Sequence, residues 1–303
     1  MTAPRPDVCS LAYTGTDAPT RRFAQRALGN RRHSTTHARC PTNLALRALT
    51  FLKPLVPGIT HASTVNRLLA ALPRHDRLSM IARCETVALV ASDVLFEPGE
   101  RLRHVHFPIT ALVSLVTPVP SSAGVEVGLV GDEGMVGTPL VLGMAVTPLA
   151  GIVQRAGVSL CMGAAGFTRQ LSSRPALRRL LDRYLFVRMT QLARSAGCTR
   201  YHLVEARLAR LLLMTQDRAR SSAMHITHEF LALMLGVRRA GVTQAAISLQ
   251  RLGLIRYSRG DIVILDRPGL ESAACACYVA DRDTYRRVLG PSTGSRKPAR
   301  SGA

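Results

Sequence analysis

The chain has 303 residues, 47% of them hydrophobic, and a formal net charge of +21 at pH 7. This length and apolar content exclude a chain without a hydrophobic core and favour two compact domains. The basic balance favours a polyanionic partner, because clustered Lys and Arg side chains gain free energy by releasing phosphate counterions. An arginine-rich composition without such a partner is the alternative.

The charge is distributed unevenly along the chain. Residues 63–171 contain eight Lys/Arg and eight Asp/Glu, so this block is neutral. Residues 172–199 have six basic groups and one acidic group, residues 200–278 have eleven and six, and residues 279–303 have six and two. A neutral block followed by a basic one places the expected polyanion on the second half.

The first segment, residues 1–62, carries nine basic and two acidic groups and shows little periodic apolar pattern. We expect a basic, disordered arm. A basic arm that contacts nucleic acid is one alternative, and a translation start placed too early is another. The first thirty residues lack the apolar region of a secretory signal.

Residues 63–171 predict a β-barrel. Two short helices broken at Pro73 come first, and from Val87 short apolar runs alternate with Gly and Pro turns. This pattern is typical of an all-β barrel or sandwich, whose interior is a natural ligand site. The uncharged stretch 134–154, GMVGTPLVLGMAVTPLAGIVQ, is interrupted by Pro and Gly, which favours strands and turns over a membrane span. We therefore expect a soluble, cytoplasmic protein with no membrane partner.

Residues 172–199 predict one long helix, with Pro175 at its start and Gly197 at its end. Its apolar residues cover two neighbouring faces. Leu177, Leu181 and Tyr184, with the polar Gln191, lie on one face, and Leu185, Met189, Leu192 and Ala196 lie on the other. Two faces predict two packing partners, the barrel and a second copy of the helix in a homodimer. A helix packed wholly within one chain is the alternative.

Residues 200–278 predict a helix, a loop at 221–224, a helix-turn-helix and a two-stranded wing. Thr227 is a suitable N-cap, Gly236 ends the first helix of the pair and Gly253 ends the second. The wing turn is Arg259-Gly260. The second helix is expected to bury Val242, Ala246, Leu249 and Leu252. Residues 279–303 are expected to form a basic, partly disordered tail.

The outer surface of this unit has the residue types that bind double-stranded DNA. Arginine can bind guanine bidentately, and glutamine can do the same for adenine. The residues expected on the outer surface of the second helix are Arg238, Arg239, Thr243, Gln244 and Ser248. Among them Arg239 is the expected base reader and Arg238 an expected backbone contact. The candidate phosphate-contacting residues are Thr227, Tyr257, Ser258 and Arg259. An exposed arginine-rich helix without a ligand is the alternative.

At this point the sequence resembles the Crp/Fnr-type transcriptional regulators. The resemblance rests on the order of barrel, long helix, helix-turn-helix and wing, with the segments EFLALMLGVRRAGVT and LIRYSRGDIVIL. Weaker signals in the barrel are FEPGE and VGDEGMVG. It implies an α+β fold with a jelly-roll-like, cyclic-nucleotide-binding-like barrel, a dimerisation helix and a winged helix-turn-helix. It also implies a homodimer that binds a two-fold symmetric operator and contacts RNA polymerase.

The resemblance also indicates where this chain departs from the family. The arginine that reads guanine in the cyclic-AMP receptor subgroup matches Arg239, whereas that subgroup's glutamate and second arginine fall on Ala240 and Gln244. The usual half-site is therefore in doubt, while DNA binding is not.

The sensor motif departs further. Glu133-Gly134 matches the start of the ribose-binding cassette, but the next arginine is Arg155, followed by Ala156. A buried cyclic phosphate without its cation is strongly disfavoured, so we expect no cyclic-nucleotide site of the family's type. The sequence does not identify the effector.

Cysteines indicate no cofactor. The seven are Cys9, Cys40, Cys84, Cys161, Cys198, Cys275 and Cys277. They form no paired disulfide framework, no C-x-x-C knuckle and no iron–sulfur cluster motif. The close pair Cys275 and Cys277, in ESAACACYV, is expected to consist of small packing residues, with a metal site as the alternative.

The rival class is a cupin-like metal-dependent enzyme or a small-molecule-binding barrel. His104 and His106 lie two residues apart, on one face of a predicted strand. The glutamate and second histidine motif of cupins are absent. No Walker-type loop or G-x-S-x-G elbow is present either, so we expect a protein that is not an enzyme. A barrel with a purely structural role is a third possibility.

Overall fold

The computed structural model describes residues 65–119 and 124–290. The predicted arm, residues 1–62, lies outside the described residues, as do residues 291–303 of the predicted tail.

Two short helices open the described chain, α1 (Arg67–Ala70) and α2 (Arg74–Ile81). Pro73 precedes α2, as predicted. The buried Asn66 fixes the first of them: its side-chain oxygen accepts from Leu69 N at 3.1 Å. Its amide nitrogen donates to the carbonyls of Pro108 and Gly134, each at 2.9 Å. A capping residue thus also anchors α1 to the barrel.

The barrel consists of two antiparallel sheets. One sheet has the strand order β1-β7-β3, and the second has the order β2-β6-β4-β5. Val105 and Phe107 of one sheet share a buried core with Val113 and Val130 of the other. The strands are β1 (Glu85–Leu89), β2 (Val94–Phe96), β3 (His104–Pro108), β4 (Leu112–Thr117), β5 (Val125–Val130), β6 (Ala150–Arg155) and β7 (Gly157–Gly163).

The uncharged stretch 134–154 forms turns and a strand, as predicted. A 3₁₀ helix, Thr138–Leu142, lies between Gly137 (φ 97°) and Gly143 (φ 77°), both left-handed, and β6 follows. Among the described residues, no single helix is long and apolar enough to cross a membrane. One pair bent by 105°, His228–Leu235 and Arg239–Arg251, meets those criteria by length and composition alone.

A short helix, α3 (Ala164–Ser173), leads into the long helix α4 (Pro175–Tyr201). Leu177, Leu181 and Tyr184 are buried in the barrel core, as predicted. Gln191, expected on the same face, is only half-buried, and Leu185, expected on the other face, also packs on the barrel core. The predicted end at Gly197 is wrong, because the helix continues for another turn. Cys198 in that turn is buried against the C-terminal part of the chain, so tertiary packing extends the helix past the glycine.

The C-terminal domain begins with α5 (Val204–Ala219), just after the long helix ends. It has its own apolar core, distinct from that of the barrel. After α5 come β8 (Ala223–His225), α6 (His228–Leu235), α7 (Arg239–Arg251), β9 (Ile255–Ser258), β10 (Asp261–Ile264), α8 (Arg267–Ala273) and α9 (Cys277–Leu289).

Two expectations for this region are wrong. The predicted loop 221–224 includes the first residues of β8, a third strand that pairs with β10. The predicted tail from residue 279 instead continues α9 as far as Leu289. Leu289 is buried in the barrel core and Tyr278 in the C-terminal core. The last helix is ordered by packing on both domains, which its basic composition does not reveal.

Candidate nucleic-acid interface

Helices α6 and α7 form a helix-turn-helix. Thr227 caps α6, with its hydroxyl oxygen accepting from Phe230 N at 3.2 Å. Gly236 ends α6 in the left-handed conformation (φ 62°), which suits glycine because it has no Cβ. The two helices are bent by 105° relative to one another. This angle lies within the range typical of the DNA-binding motif.

The inner face of α7 holds it against the domain. Val242, Ala246 and Leu249 are buried in the C-terminal core, as predicted. Leu252 is 62% exposed, so its predicted burial is wrong. It follows the last helical residue and is the C-cap, where the chain turns toward the wing and no longer continues the apolar stripe.

The outer face of α7 carries the predicted DNA-contacting residues. Arg238, Arg239 and Gln244 are exposed, and Thr243 and Ser248 are half-buried. Arg238 is the N-cap of α7 and makes no side-chain capping hydrogen bond. Gly241 N donates to Arg238 O at 2.9 Å, while the N–H groups of Arg239 and Ala240 have no acceptor among the described residues. These two N–H groups and the guanidinium groups beside them together suit a phosphate or a base edge.

One residue that the sequence did not suggest, His228, connects α7 to the wing. Its Nδ1 lies 3.0 Å from Thr243 Oγ1, and its ring stacks on Tyr257 with centroids 4.2 Å apart. The Thr243 hydroxyl donates to the carbonyl of Arg239 at 3.1 Å. Burial, with a smaller contribution from the charge of Arg239, lowers the pKa of His228. The His228 ring, which belongs to α6 and is neutral at pH 7, therefore contacts both α7 and the wing.

The wing is a tight hairpin attached to α7. Its turn is Arg259 (φ 51°) and Gly260 (φ 92°), two successive left-handed residues as in a type I′ turn. Tyr257 N donates to Gln250 Oε1 at 2.8 Å, which fastens the wing to the helix. Ser258 and Arg259 are exposed and Tyr257 is half-buried. The bond to Gln250 and the stack of Tyr257 on His228 place this hairpin beside α7.

The turn at Glu133-Gly134, which resembles the start of the ribose-binding cassette, forms ion pairs with arginine side chains. Glu133 Oε1 accepts from Arg218 Nε at 2.5 Å, and both side chains are 9% exposed. Asp132 pairs with Arg67 at 2.9 Å and with Arg220 at 2.6 Å. The Tyr184 hydroxyl, which accepts from Met135 N at 3.2 Å, fills the space that a Cβ on Gly134 would need. This turn is therefore part of the contact between the barrel and α5.

The two histidines of the rival enzyme class lie together on β3, with ring centroids 6.3 Å apart. His106 is buried, and its Nδ1 has no hydrogen-bond partner among the described residues. Burial lowers the pKa of His106 to about 4. In the described chain these two side chains are not joined by a third Cys, Asp, Glu or His at metal-ligand distance.

Comparison with known proteins agrees with this architecture. Residues 206–273 match the Crp-like helix-turn-helix domain. The chain is similar to the c-di-GMP-responsive global regulator CLP of Xanthomonas campestris, with 16% identity, a TM-score of 0.54, and coverage of 64% of this chain and 100% of that one. It is also similar to FixK2 from Bradyrhizobium japonicum, with 14% identity, a TM-score of 0.56, and coverage of 64% of this chain and 98% of that one.

A further solved structure, a CRP/FNR-family transcriptional regulator from Thermus thermophilus, gives 23% identity, a TM-score of 0.52, and coverage of 63% and 98%. No curated protein matches the sequence. At these identities the solved structures show only the fold of this chain. The match to the helix-turn-helix domain identifies the C-terminal part of the chain. Residues 206–273 therefore form a Crp-like helix-turn-helix domain, and the chain has the fold of the solved regulators of the CRP/FNR family.

Proposed function

We propose that the protein binds a two-fold symmetric DNA operator as a homodimer, with α7 in the major groove and the wing on the adjacent backbone. The observation that carries the proposal is the first turn of α7. There the exposed Arg238 and Arg239 lie beside the N–H groups of Arg239 and Ala240, which have no acceptor among the described residues. The opposite face of the helix is buried in the domain. In this motif the N-terminal residues of the second helix contact base edges.

The residues on this surface take different roles. Arg239, in the first turn of α7, reads a guanine, and Gln244, five positions further along the helix and exposed, reads an adenine. Arg238 and the wing residues Ser258 and Arg259 bind phosphates. Thr227 keeps its hydroxyl proton for a phosphate, since its oxygen is occupied as the cap of α6.

Thr243 and Tyr257 are half-buried and stabilise the interface more than they contact DNA. Thr243 already donates to a backbone carbonyl and contacts His228, so it holds the surface in register more than it reads a base. Tyr257 supports the wing through the stack on His228. Ser248, on the outer side of α7, is also half-buried. Its role is a contact with the DNA backbone or a contact through a water molecule.

The dimer interface is the outer side of α4. Phe186, Met189 and Leu192 follow one another at intervals of three residues and are 56%, 68% and 42% exposed. Large apolar side chains on the surface of a long helix are typical of a helix that packs on a second copy. Two chains paired through α4 would present two α7 helices to one operator.

The barrel is proposed as a sensor whose effector is not a cyclic nucleotide bound in the family's manner. Support comes from Glu133, which is paired with Arg218 and buried, and from the absence of an arginine between Arg103 and Arg155 in the sequence. Contact with RNA polymerase and a cytoplasmic location are further parts of the proposal, supported by the family resemblance.

Selection of bound fragments from genomic DNA by the purified full-length protein tests the proposal. A palindrome with half-sites about one helical turn apart is the expected result. Arg239→Ala should relax the preference at one base pair in each half-site, at a cost of about 1 to 3 kcal/mol. Arg238→Ala is the matched control and should weaken all sequences alike. Failure to enrich any sequence at near-physiological salt contradicts sequence-specific binding.

A further inference from the structure

A cluster of four sulfur and nitrogen ligands lies at the joint between α4 and the C-terminal domain. Cys198 lies in the last turn of α4, and His202 is the C-cap of that helix, one turn further. Cys277 is the first residue of α9, and Cys275 lies two residues before it, in the link from α8. The Cys198 and Cys275 side chains are buried, and the other two are half-buried. All four potential ligand atoms lie within 4.8 Å of one another.

The distances match those of a tetrahedral metal site. Cys198 Sγ and Cys275 Sγ are 3.6 Å apart, and Cys277 Sγ and His202 Nδ1 are 3.7 Å apart. Four ligands about 2.0 to 2.3 Å from a zinc ion are separated by roughly 3.3 to 3.8 Å from each other. Both separations fall in that range, and both exceed the roughly 2.05 Å of a disulfide. Closing the Cys198–Cys275 bond would therefore require the two segments to approach further.

Two cationic side chains lie close to the cluster. The buried Arg207 and Arg210 both interact electrostatically with Cys198. Three thiolates around a divalent ion leave one net negative charge, which these arginines offset.

We propose that Cys198, His202, Cys275 and Cys277 bind one zinc ion in a closed tetrahedral site. Soft thiolate ligands with one imidazole select zinc over harder cations, and four protein ligands leave no open position for a substrate. The site is structural. It fastens the last turn of α4 to the start of α9. The chain leaves the long helix at His202, one of the ligands, in an extended conformation.

The joint has few other restraints on its outer side. Tyr201 and Leu203, on either side of His202, are 80% and 81% exposed. Arg200 is exposed as well. Zinc bound through His202 and Cys198 would hold this turn closed, and its loss would free the segment for local unfolding. Cleavage by trypsin after Arg200 therefore reports on the site independently of DNA binding.

The test uses full-length protein purified without chelator, with zinc measured by inductively coupled plasma mass spectrometry. About one zinc per chain is expected for the native protein. Cys277→Ser should lower that content severalfold. Cys84→Ser, at a half-buried thiol outside the cluster, is the matched control and should keep the zinc. Cobalt-substituted native protein should show the visible absorption of tetrahedral thiolate ligation, and the C277S protein should not.

Folding of each variant is checked by circular dichroism, and Cys277→His provides a second variant that retains a ligand and should recover zinc. Chelation of the native protein should speed trypsin cleavage after Arg200, whereas C277S should be cleaved fast with or without chelator. A folded native protein without zinc that also fails to take up zinc or cobalt overturns the proposal. A Cys198–Cys275 disulfide in metal-free protein purified under reducing conditions overturns it as well.

Discussion

Burial of His106 predicts a pH dependence of the stability of the barrel. The side chain is 8% exposed on β3, and burial together with the charge of His104 lowers its pKa from 6.5 to about 4. In the unfolded chain the imidazole takes up a proton near pH 6.5, while in the folded chain it stays neutral until about pH 4. Its contribution to stability is therefore complete above pH 6.5 and is lost as the pH falls toward 4.

The magnitude follows from the shift. Each pKa unit corresponds to about 1.4 kcal/mol, so the full shift costs roughly 3 kcal/mol between pH 6.5 and 4. Glu126 acts in the opposite direction, because burial raises its pKa from 4.5 to about 7. Its carboxyl group stays protonated in the fold while the unfolded chain ionises, so its contribution is lost as the pH rises through the same window. The pH profile of the native protein alone therefore does not isolate His106.

Comparison of the native protein with His106→Gln cancels the pH dependence that both proteins share, including that of Glu126. Urea unfolding of both proteins from pH 7.5 to pH 5 should show the native chain losing about 2 kcal/mol relative to the variant, since about 1.5 pH units separate pH 6.5 from pH 5. His104→Gln, at a half-buried neighbour on the same strand, is the control and should change the profile less. A difference between native and H106Q protein that stays constant with pH refutes the argument from burial.

Three further predictions concern the nucleic-acid interface and the proposed dimer. Met189→Glu on the exposed side of α4 should convert the proposed dimer to monomer in analytical ultracentrifugation, while Met144→Glu, on the barrel at 59% exposure, should not. Thr243→Val should lower the free energy of unfolding by about 1 kcal/mol, measured in urea, because His228 Nδ1 loses its partner. Gly260→Ala should lower the melting temperature, since φ is 92° there, whereas Gly241→Ala inside α7, with open space for its methyl group, should raise it.

Local chemistry made the DNA-binding unit predictable. A capping threonine, a glycine that accepts a left-handed conformation and a two-residue hairpin turn each act within a few residues. These signals predicted the helix-turn-helix and the wing directly from the sequence. The periodicity of Val242, Ala246 and Leu249 also predicted which face of α7 is buried, and it failed only at Leu252, where the helix ends and its period no longer applies.

Contacts between distant segments were not predictable in this way. Cys198 and Cys275 are separated by 77 positions, and each alone resembles a small packing residue, so the expectation of simple packing missed the cluster they form with His202 and Cys277. β8 has only three residues, too few to show an alternating pattern. His228 gained its role only when α6, α7 and the wing came together.

If the barrel acts as the proposed sensor, the arginine pairing of the Glu133 turn limits which ligands could act through it. Arg218 and Arg220 lie at the end of α5, the first helix of the C-terminal domain, and they hold Glu133 and Asp132 of the barrel. A ligand that engaged Glu133 would have to separate a buried ion pair and leave the Arg218 guanidinium without its partner, a cost of about 3 to 5 kcal/mol. Any effector that acts through this turn must therefore bind tightly enough to offset that cost, and in doing so it would release the barrel from α5.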